Sequence, residues 1–590
     1  MKSVVFSLAL TLALGTVPAT AQEAADGVAP EAETTLGRAL TGPLAASQEA
    51  KDAGRPVEAD DWMVVAAHPL AVEAGGRVLR EGGTAADAMV AVQAVLGLVE
   101  PQSSGLGGGA FLVWFDGNTG KVTTLDGRET APLAATPQML LGEDGAPLGF
   151  FDAVVGGLSV GVPGTPMLME EAHRRWGRAN WPGLFSEAIT LAEEGFNVSP
   201  RMAASVQRDA ERLAIDPKSA QVFLPNGSPL EAGDRFTNPA YGNSLRQLAA
   251  EGAAPFYTGD IAAQIVEAVQ NAALPGLLKP IDLALYQIKE RPAVCADYRG
   301  YDVCGMGPPS SGALAVGQIL GLLSPFDMTG LGPDDPQTWR LIGDASRLAF
   351  ADRGRYVADS DYVPVPVQGI LERSYLNDRA ELLRRDTALP IVSAGTPEFD
   401  HALNWADDDD RARPSTSHIT IADAYGNVLS MTTTIENAFG SHVMAAGFLL
   451  NNELTDFSFR SHRDGVPVAN RVEPGKRPRS SMAPTLVLDN GEPVLAIGSP
   501  GGSRIIPYVA NAIIAHLDWG LDVQQAISLP HRVNRFGTYD MEDDALAADL
   551  QAFGFEVKQR ALNSGLHAIS FGDRLRGGAD PRREGLALGE

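Results

Sequence analysis

The sequence predicts an α/β (α+β) protein in which helices pack against antiparallel sheets. One helical pattern, at residues 84–99, is apolar on nearly every side, and such a helix belongs inside a layered fold. Strand patterns joined by short turns recur at residues 110–125, 416–435 and 484–497. The chain has 590 residues, well above the roughly 100–200 of one domain, so we expect a large core or several domains.

Two helices are predicted close together, one over residues 65–79 and one over residues 84–99. Pro69 suits the first turn of the first helix, where its missing N–H costs no hydrogen bond. Thr84 and Asp87 have the spacing of a capping box at the start of the second.

Residues 165–290 have a mostly helical pattern. Further along the chain, a change in composition marks residues 405–415. This stretch contains four consecutive aspartates and turn-forming residues. Such a segment is unlike a packed element, so we predict an exposed connector.

The hairpin pattern directly after this connector gathers hydroxyl groups on one face. A three-residue turn with Gly426 in the left-handed conformation places Thr416 opposite Thr434. Because side chains alternate along a strand, one face carries Thr416, His418, Thr420, Ser430, Thr432 and Thr434. The other face carries Ile419, Ile421, Leu429 and Met431.

The third hairpin pattern leads into a glycine-rich loop at residues 498–503 and then a helix over residues 504–517. Backbone N–H groups at the start of such a helix can bind an oxygen anion. A plain turn between strand and helix is the alternative.

The two cysteines, Cys295 and Cys304, flank a possible two-residue turn at Arg299 and Gly300. That turn places the two sulfurs opposite each other, and we predict a disulfide. A turn shifted by one residue leaves two buried thiols instead. With nine His and no HExxH or CxxC motif, no metal centre is indicated.

The start of the chain resembles a targeting segment. A basic residue precedes an apolar run at residues 4–14 and small residues at 19–21, which predicts a signal peptide over residues 1–21. A membrane anchor is the alternative, but the run has about half of the ~20 residues that a span needs. We predict a poorly ordered lead-in over residues 22–60, and export to the periplasm or cell exterior with no membrane span in the mature protein.

The net charge of −27 opposes binding to phosphate backbones or anionic membranes. Nucleic acid is therefore not expected as a partner.

Four blocks of sequence together resemble the γ-glutamyltransferase family of N-terminal nucleophile hydrolases. The blocks are residues 126–129, 416–418, 477–484 and 498–504. The resemblance extends over nearly all of residues 60–590. It implies a four-layer αββα sandwich built from both chains of a self-cleaved precursor, with a large subunit at residues 61–415 and a small subunit at residues 416–590.

The family's chemistry implies cleavage between Ser415 and Thr416. A threonine hydroxyl is a weak nucleophile that needs a base, and a new α-amine on Thr416 provides one. Thr434 is placed to hydrogen-bond the hydroxyl or amine of Thr416. Taken alone, a threonine at a strand start predicts only ordinary β structure.

The same resemblance assigns the groups that bind substrate. Backbone N–H groups of Gly501 and Gly502 match the oxyanion hole, and Arg128 matches the arginine that binds the donor α-carboxylate. Ser480 and Ser481 assist Arg128, although alone they predict a surface turn. The residues that match the contacts to the donor α-ammonium are Glu436, Glu453 and Asp456, for which a solvated acidic cluster is the alternative.

One segment departs from the family. Many relatives have a longer lid with a tyrosine, whereas residues 459–474 are short and contain no Tyr. We predict a more open and wetter site that favours hydrolysis or bulky acceptors.

The resemblance implies hydrolysis or transfer of γ-glutamyl groups from glutathione and other γ-glutamyl compounds to water, amino acids or peptides, without a cofactor. The main alternative is a glutaryl or cephalosporin acylase with the same nucleophile. A serine hydrolase elbow at residues 157–161, a dinucleotide loop at residues 105–109 and a non-catalytic solute-binding protein are weaker alternatives.

Overall fold

The computed structural model describes residues 40–401, 404–408 and 415–590. Two seven-stranded antiparallel sheets lie face to face, and helices cover the outer face of each sheet. The predicted four-layer αββα sandwich is therefore confirmed. The predicted signal peptide lies outside the described residues.

The front sheet contains the strand that follows Thr416. Its strands are, in spatial order, Leu586–Gly589, Met63–Ala66, Ser417–Ala422, Val428–Thr434, Gly109–Phe115, Val122–Gly127 and Lys289–Arg291. Strands from before and after the Ser415–Thr416 junction therefore pair with each other.

The back sheet also combines both parts of the chain. Its strands are, in spatial order, Val57–Ala59, Leu575–Ala579, His567–Ser570, Glu492–Gly498, Thr485–Asp489, Tyr301–Met306 and Ala293–Tyr298. Smaller sheets pair Phe196–Asn197 with Arg235–Phe236, Met444–Ala445 with Phe448–Leu449, His462–Arg463 with Val466–Pro467, and Thr538–Met541 with both Arg532–Asn534 and Glu556–Gln559.

The helices form the two outer layers, one on each sheet. Up to residue 290 they are Gly42–Asp52, Pro69–Arg80, Ala85–Val99, Phe150–Val154, Thr165–Trp176, Ser186–Glu194, Pro200–Leu213, Pro217–Phe223, Pro239–Glu251, Ala254–Thr258, Asp260–Gln270 and Pro280–Ala284. The later ones are Gly312–Leu323, Met328–Leu331, Pro336–Tyr356, Val367–Leu371, Arg373–Ala380, Ile505–Leu517, Val523–Ser528 and Ala547–Phe553.

Apolar side chains fill the three interfaces between layers. Between the sheets lie Met63, Val65, Val113, Phe115, Ala422, Val428, Cys304, Leu486, Leu488, Ala496, Ile569 and Ala579. The opposite face of the front sheet packs on the helices Pro69–Arg80 and Ala85–Val99. The outer face of the back sheet packs on Gly312–Leu323, Pro336–Tyr356 and Ile505–Leu517.

The predicted register of the Thr416 hairpin is confirmed. Ser417 pairs with Thr433 and Ala422 with Val428, and Gly426 has a φ of 81°. The hydroxyl-bearing face lies toward the back sheet, where Ser430 donates a hydrogen bond to the carbonyl oxygen of Ile497 at 3.2 Å.

Two further local predictions are confirmed. Thr84 and Asp87 form a capping box at the start of Ala85–Val99. Cys295 pairs with Cys304 in an antiparallel ladder, and a disulfide joins them.

The prediction of a helix from residue 65 is wrong at its start. Met63–Ala66 is a fully buried strand, and the helix begins at Pro69 after His68, whose ring accepts a hydrogen bond from the N–H of Leu70 at 3.2 Å. A short apolar run has the same pattern in a buried strand as in a helix, so periodicity alone did not separate them.

The prediction of a poorly ordered lead-in is wrong for its second half. Residues 42–52 form a helix and residues 57–59 a strand of the back sheet. Lys51 in this helix is buried and donates a hydrogen bond to the carbonyl oxygen of Gly585 at 2.8 Å. The partner is 534 residues away in the sequence, so local composition carries no sign of it.

The predicted exposed connector is also partly wrong. Trp405 is 5% exposed, and Asp408 forms an ion pair with Arg479 at 2.8 Å in which both side chains are 2% exposed. The aspartate is buried because a buried arginine neutralises it. Residues 409–414 of the connector lie outside the described residues.

Across the described ranges, no helix has both the length and the apolar character needed to cross a membrane.

Candidate active site

Two threonine hydroxyls and one carbonyl group meet at the start of the front-sheet hairpin. The Oγ1 atoms of Thr416 and Thr434 are 3.2 Å apart. Both donate toward the carbonyl oxygen of Ser415, at 2.6 Å from Thr416 and 2.8 Å from Thr434. The hairpin register produces this arrangement, because it places the two threonines side by side on one face.

Neighbouring groups hold this arrangement in place. Ser415 donates its hydroxyl to the carbonyl oxygen of Gln102 at 2.6 Å. The N–H of Glu436 donates to Thr434 Oγ1 at 2.9 Å, which leaves the Thr434 proton directed at another acceptor. Ser415, Thr416 and Thr434 are all buried.

A small cavity of about 20 Å³ lies beside Thr416. The predicted site residues that line it are Arg128, Thr416, Thr434, Glu436, Glu453, Asp456, Ser480, Ser481 and Gly502. Met482 and Ile505 complete the lining. The fold therefore brings together side chains from four separate parts of the sequence.

The glycine loop lies at the end of a back-sheet strand and before the helix Ile505–Leu517. Gly501 and Gly502 have φ values of 139° and 58°, a region that favours glycine. A side-chain carbon at Gly501 would come within 2.8 Å of the Tyr508 ring. Gly502 lines the cavity and Gly501 precedes it, so the loop presents backbone rather than side chains near Thr416.

Arg128 is the buried cation of the cavity. Its guanidinium forms ion pairs with Glu453 and Asp456 and donates to the carbonyl oxygens of Pro478 at 3.2 Å and Arg479 at 3.1 Å. Burial lowers the pKa of Arg128, but the neighbouring carboxylates outweigh it and raise that pKa overall. Arg128, predicted to bind the donor α-carboxylate, is thus paired with Glu453 and Asp456, which are predicted to bind the donor α-ammonium.

A further buried carboxyl group, Glu129, lies beside Glu453 and Asp456 and was missed by sequence reasoning. One of its oxygens is 4.0 Å from Arg128 Nη1. Burial, and repulsion by Glu453, raise the pKa of Glu129 well above its usual range. Burial also raises the pKa of Glu453, to about 7, against the lowering effect of Arg128. The position of Glu129 next to Arg128 in the sequence was the one signal that could have identified Glu129 as a site residue.

The two serines of the third block are buried, so the surface-turn alternative is wrong for them. Ser481 Oγ accepts a hydrogen bond from Arg353 Nη2 at 2.6 Å, and Ser480 Oγ accepts one from the N–H of Met482 at 3.1 Å. Each hydroxyl therefore keeps its own proton for donation into the cavity. Arg353 comes from the helix Pro336–Tyr356, and no local pattern identified it.

The acidic residues are not a solvated surface cluster. Glu436 and Glu453 are 4% and 1% exposed, and the Asp456 side chain is 9% exposed. Glu436 has a φ of 77° and accepts a hydrogen bond from Asn452 Nδ2. Buried carboxyl groups at this density are costly unless a cation compensates them, which favours a binding role.

The serine elbow alternative is not supported by the geometry. Ser159 is fully buried in a short 3₁₀ turn, and its hydroxyl donates to the carbonyl oxygen of Val154 at 2.6 Å. A nucleophile in such an elbow is exposed at the end of a sheet.

Comparison with known proteins agrees with the geometry. The family model described as gamma-glutamyltranspeptidase matches residues 71–590. The glutathione hydrolase proenzyme of Bacillus subtilis (strain 168) is 36% identical over 90% of this chain and 91% of its own length. The acylase ACY 1 proenzyme of Pseudomonas sp. (strain SE83) is 34% identical over 90% of this chain and 94% of its own.

A solved structure has the same fold. The cephalosporin acylase from Bacillus halodurans superposes with a TM-score of 0.79 and 25% identity, over 91% of this chain and 97% of that one. Since the family model covers most of the sequence, and a glutathione hydrolase proenzyme aligns along nearly its whole length, the chain belongs to the γ-glutamyltranspeptidase family.

Proposed function

We propose that this chain is a self-processing γ-glutamyltransferase and glutathione hydrolase that acts through a γ-glutamyl ester on Thr416. The observation that supports it most is the contact of the Thr416 hydroxyl with the Ser415 carbonyl group, beside a cavity with a buried arginine and several carboxyl groups.

The first step in this proposal is cleavage of the precursor. Thr416 Oγ1 attacks the carbonyl carbon of Ser415, the C–N bond breaks, and an ester forms between the two residues. Water then hydrolyses the ester, which leaves a carboxylate on Ser415 and a free α-amine on Thr416. The Thr434 hydroxyl, 2.8 Å from the carbonyl oxygen, is placed to stabilise the negative charge that develops there.

The second step is turnover. The α-amine of Thr416 takes the hydroxyl proton as Oγ1 attacks the γ-carbonyl carbon of the donor. Backbone N–H groups of Gly501 and Gly502 stabilise the oxyanion, where one donor is worth about 3 kcal/mol. The leaving amine departs with a proton. Water, an amino acid or a peptide then takes the glutamyl group from the ester.

Donor binding in this proposal exchanges internal ion pairs for substrate ion pairs. Arg128 binds the donor α-carboxylate, with help from the hydroxyls of Ser480 and Ser481. The donor α-ammonium lies among Glu436, Glu453 and Asp456. A zwitterion supplies one charge of each sign, so it can replace both halves of the ion pairs that Arg128 forms with Glu453 and Asp456.

We also propose export to the periplasm or the cell exterior, and a mature protein made of a large and a small subunit. The signal-like start of the sequence and the Cys295–Cys304 disulfide support export, because disulfides persist in oxidising compartments.

Thr416→Ala tests the proposal against a matched control. Ser417→Ala removes the next hydroxyl, which lies on the other face of the strand and has no hydrogen-bond partner among the residues that the structure describes. We expect Thr416→Ala to remain uncut and inactive toward a γ-glutamyl anilide, whereas Ser417→Ala is cut and active. A Thr416→Ala protein with parental activity contradicts the assignment.

An acylase acting on glutaryl amides is the second candidate, supported by the similarity to acylases. A γ-glutamyl group differs from a glutaryl group only by its α-ammonium. If Glu453 and Asp456 bind that ammonium, kcat/KM is higher for γ-glutamyl than for glutaryl p-nitroanilide, and Asp456→Asn reduces the ratio about tenfold. A preference for the glutaryl compound favours the acylase.

A further inference from the structure

The carbonyl group of Thr416 is held by a residue from the far end of the chain. Arg583 Nη1 donates to the Thr416 carbonyl oxygen at 3.1 Å. Arg583 lies in the connection between Leu575–Ala579 of the back sheet and Leu586–Gly589 of the front sheet, and it is 3% exposed. Arg583 lies outside the four blocks of the family resemblance.

Several groups fix the orientation of Arg583. Its Nε donates to Asn563 Oδ1 at 3.1 Å, and its N–H donates to the carbonyl oxygen of Asp580 at 3.2 Å. Its own carbonyl oxygen accepts a hydrogen bond from Lys51 of the helix Gly42–Asp52. Gly565 leaves room for the side chain, since a carbon added there would lie 2.9 Å from Arg583 Cδ.

The contact matters because of where Thr416 lies in the sheet. The hairpin ladder begins with the pair Ser417–Thr433, so Thr416 precedes the first regular strand pair. If the bond before Thr416 is cut, that residue becomes a chain end held covalently on one side only. Its hydroxyl and amine both project from Cα, whose position is set by the peptide plane that contains the Thr416 carbonyl group, and a hydrogen bond to the carbonyl oxygen holds that plane in place.

We propose that Arg583 is a positioning residue that orients Thr416 by holding its carbonyl oxygen. This inference rests on the proposed role of Thr416 as nucleophile. A buried, charge-assisted hydrogen bond from a fixed guanidinium is strong enough to select one orientation. Misplacement of a reacting group by about 1 Å lowers a rate on the order of a hundredfold.

The test compares Arg583→Met, which keeps the length of the side chain but not its donors, with Arg583→Lys, which keeps a charged donor. With γ-glutamyl p-nitroanilide, kcat per cleaved chain is expected to fall about tenfold to a hundredfold in Arg583→Met. The donor KM stays within about twofold, because the cavity walls are unchanged. Arg583→Lys recovers part of the loss in kcat.

Controls separate positioning from stability and from the proposed function. Arg574→Met removes an exposed arginine that pairs with Asp60, and it is expected to leave kcat unchanged. Because kcat is expressed per cleaved chain, slow or partial self-cleavage of Arg583→Met is not scored as a loss of turnover.

Parental kcat per cleaved chain in Arg583→Met overturns the inference. Equal losses of kcat and melting temperature in Arg583→Met and Arg583→Lys also overturn it, because they indicate a structural role. Thr416→Ala is measured in parallel. If that variant is active, the nucleophile assignment fails; if it is inactive while Arg583→Met is normal, only this inference fails.

Discussion

At the scale of single residues, buried carboxyl groups outnumber the arginine that they surround beside the cavity. One buried arginine, Arg128, faces Glu453 and Asp456, with Glu129 close behind. Carboxyl groups that outnumber the local cation retain protons at a higher pH than usual. The protonation state of these groups therefore links donor binding to pH.

The pKa of Glu453, about 7, gives the first prediction. Below this pH the carboxyl group is protonated and neutral, so it attracts the donor ammonium less. We expect the donor KM to fall up to about fivefold between pH 6 and 7, by up to about twofold more between pH 7 and 8, and to level off above pH 8. In Glu453→Gln the KM is higher and flat over this range. A parental KM that is constant between pH 6 and 8 contradicts the assignment.

Thr434 gives the second prediction, because its hydroxyl lies 2.8 Å from the Ser415 carbonyl oxygen. Thr434→Val keeps the shape of the side chain and removes the donor, so self-cleavage is expected to slow about a hundredfold. Thr433→Val is the matched control, since no described residue forms a hydrogen bond with the Thr433 hydroxyl. The half-time of cleavage is followed by gel electrophoresis after rapid purification. Equal half-times in the two variants exclude this role.

The positions of the site residues were predictable where they follow from short-range pattern or from resemblance, and not where they depend on distant contacts. Thr416 and Thr434 were placed together by the geometry of one turn. Glu129, Arg353 and Arg583 were missed because their contacts are with residues far away in sequence. Such contacts exist only once the layers have packed.

At the scale of elements, the segment over residues 459–474 contacts the site through Asn470, whose side chain donates to the carbonyl oxygen of Asp456 at 2.8 Å. It contains a short hairpin, His462–Arg463 with Val466–Pro467, whose tip residues Asp464 and Gly465 have positive φ values. Residue Val468 pairs with Ala406, so the segment is attached to the rest of the structure beside its tip. The tip is therefore the place where a longer lid can be added with least disturbance.

The third prediction concerns this segment. A tyrosine-bearing extension grafted between Asp464 and Gly465 is expected to raise the ratio of transfer to hydrolysis at least about threefold, because a closed lid excludes water from the ester. A Gly/Ser extension of equal length is the control for the insertion itself. The ratio is measured with a γ-glutamyl anilide and a dipeptide acceptor. An unchanged ratio with the tyrosine graft eliminates the idea.

Element types were predictable where sequence signals agree with each other. The capping box at Thr84, the Gly426 turn and the Cys295–Cys304 pairing all follow from local geometry. The strand Met63–Ala66 and the helix Gly42–Asp52 were not predicted. The strand is too short and too buried to show alternation, and the helix is stabilised by a C-terminal segment.

At the scale of the whole molecule, the two parts of the chain are interleaved rather than side by side. Leu586–Gly589 pairs with Met63–Ala66, and Ser417–Ala422 pairs with the other edge of the same strand. The back sheet likewise joins Val57–Ala59 to Leu575–Ala579. A cut at residue 415 therefore leaves a continuous core, and we expect the two products to remain associated without a covalent link.

This interleaving also explains why Thr416, the proposed nucleophile, lies inside the protein. Thr416 is 4% exposed, although it becomes a chain end in the proposed mature form. Both sheets contain strands from each part of the chain. Arg128 of the proposed large subunit and the backbone of Gly502 in the proposed small subunit can therefore both line the cavity beside Thr416. The four-layer architecture was predictable from the resemblance, whereas these contacts were not.

The most direct test of the account is N-terminal sequencing and intact mass measurement of the purified protein, paired with a γ-glutamyl anilide assay on the same sample. The account predicts two chains, one of which begins at Thr416, and activity that increases in proportion to the cleaved fraction. A single unbroken chain that hydrolyses the anilide at the full rate would contradict it.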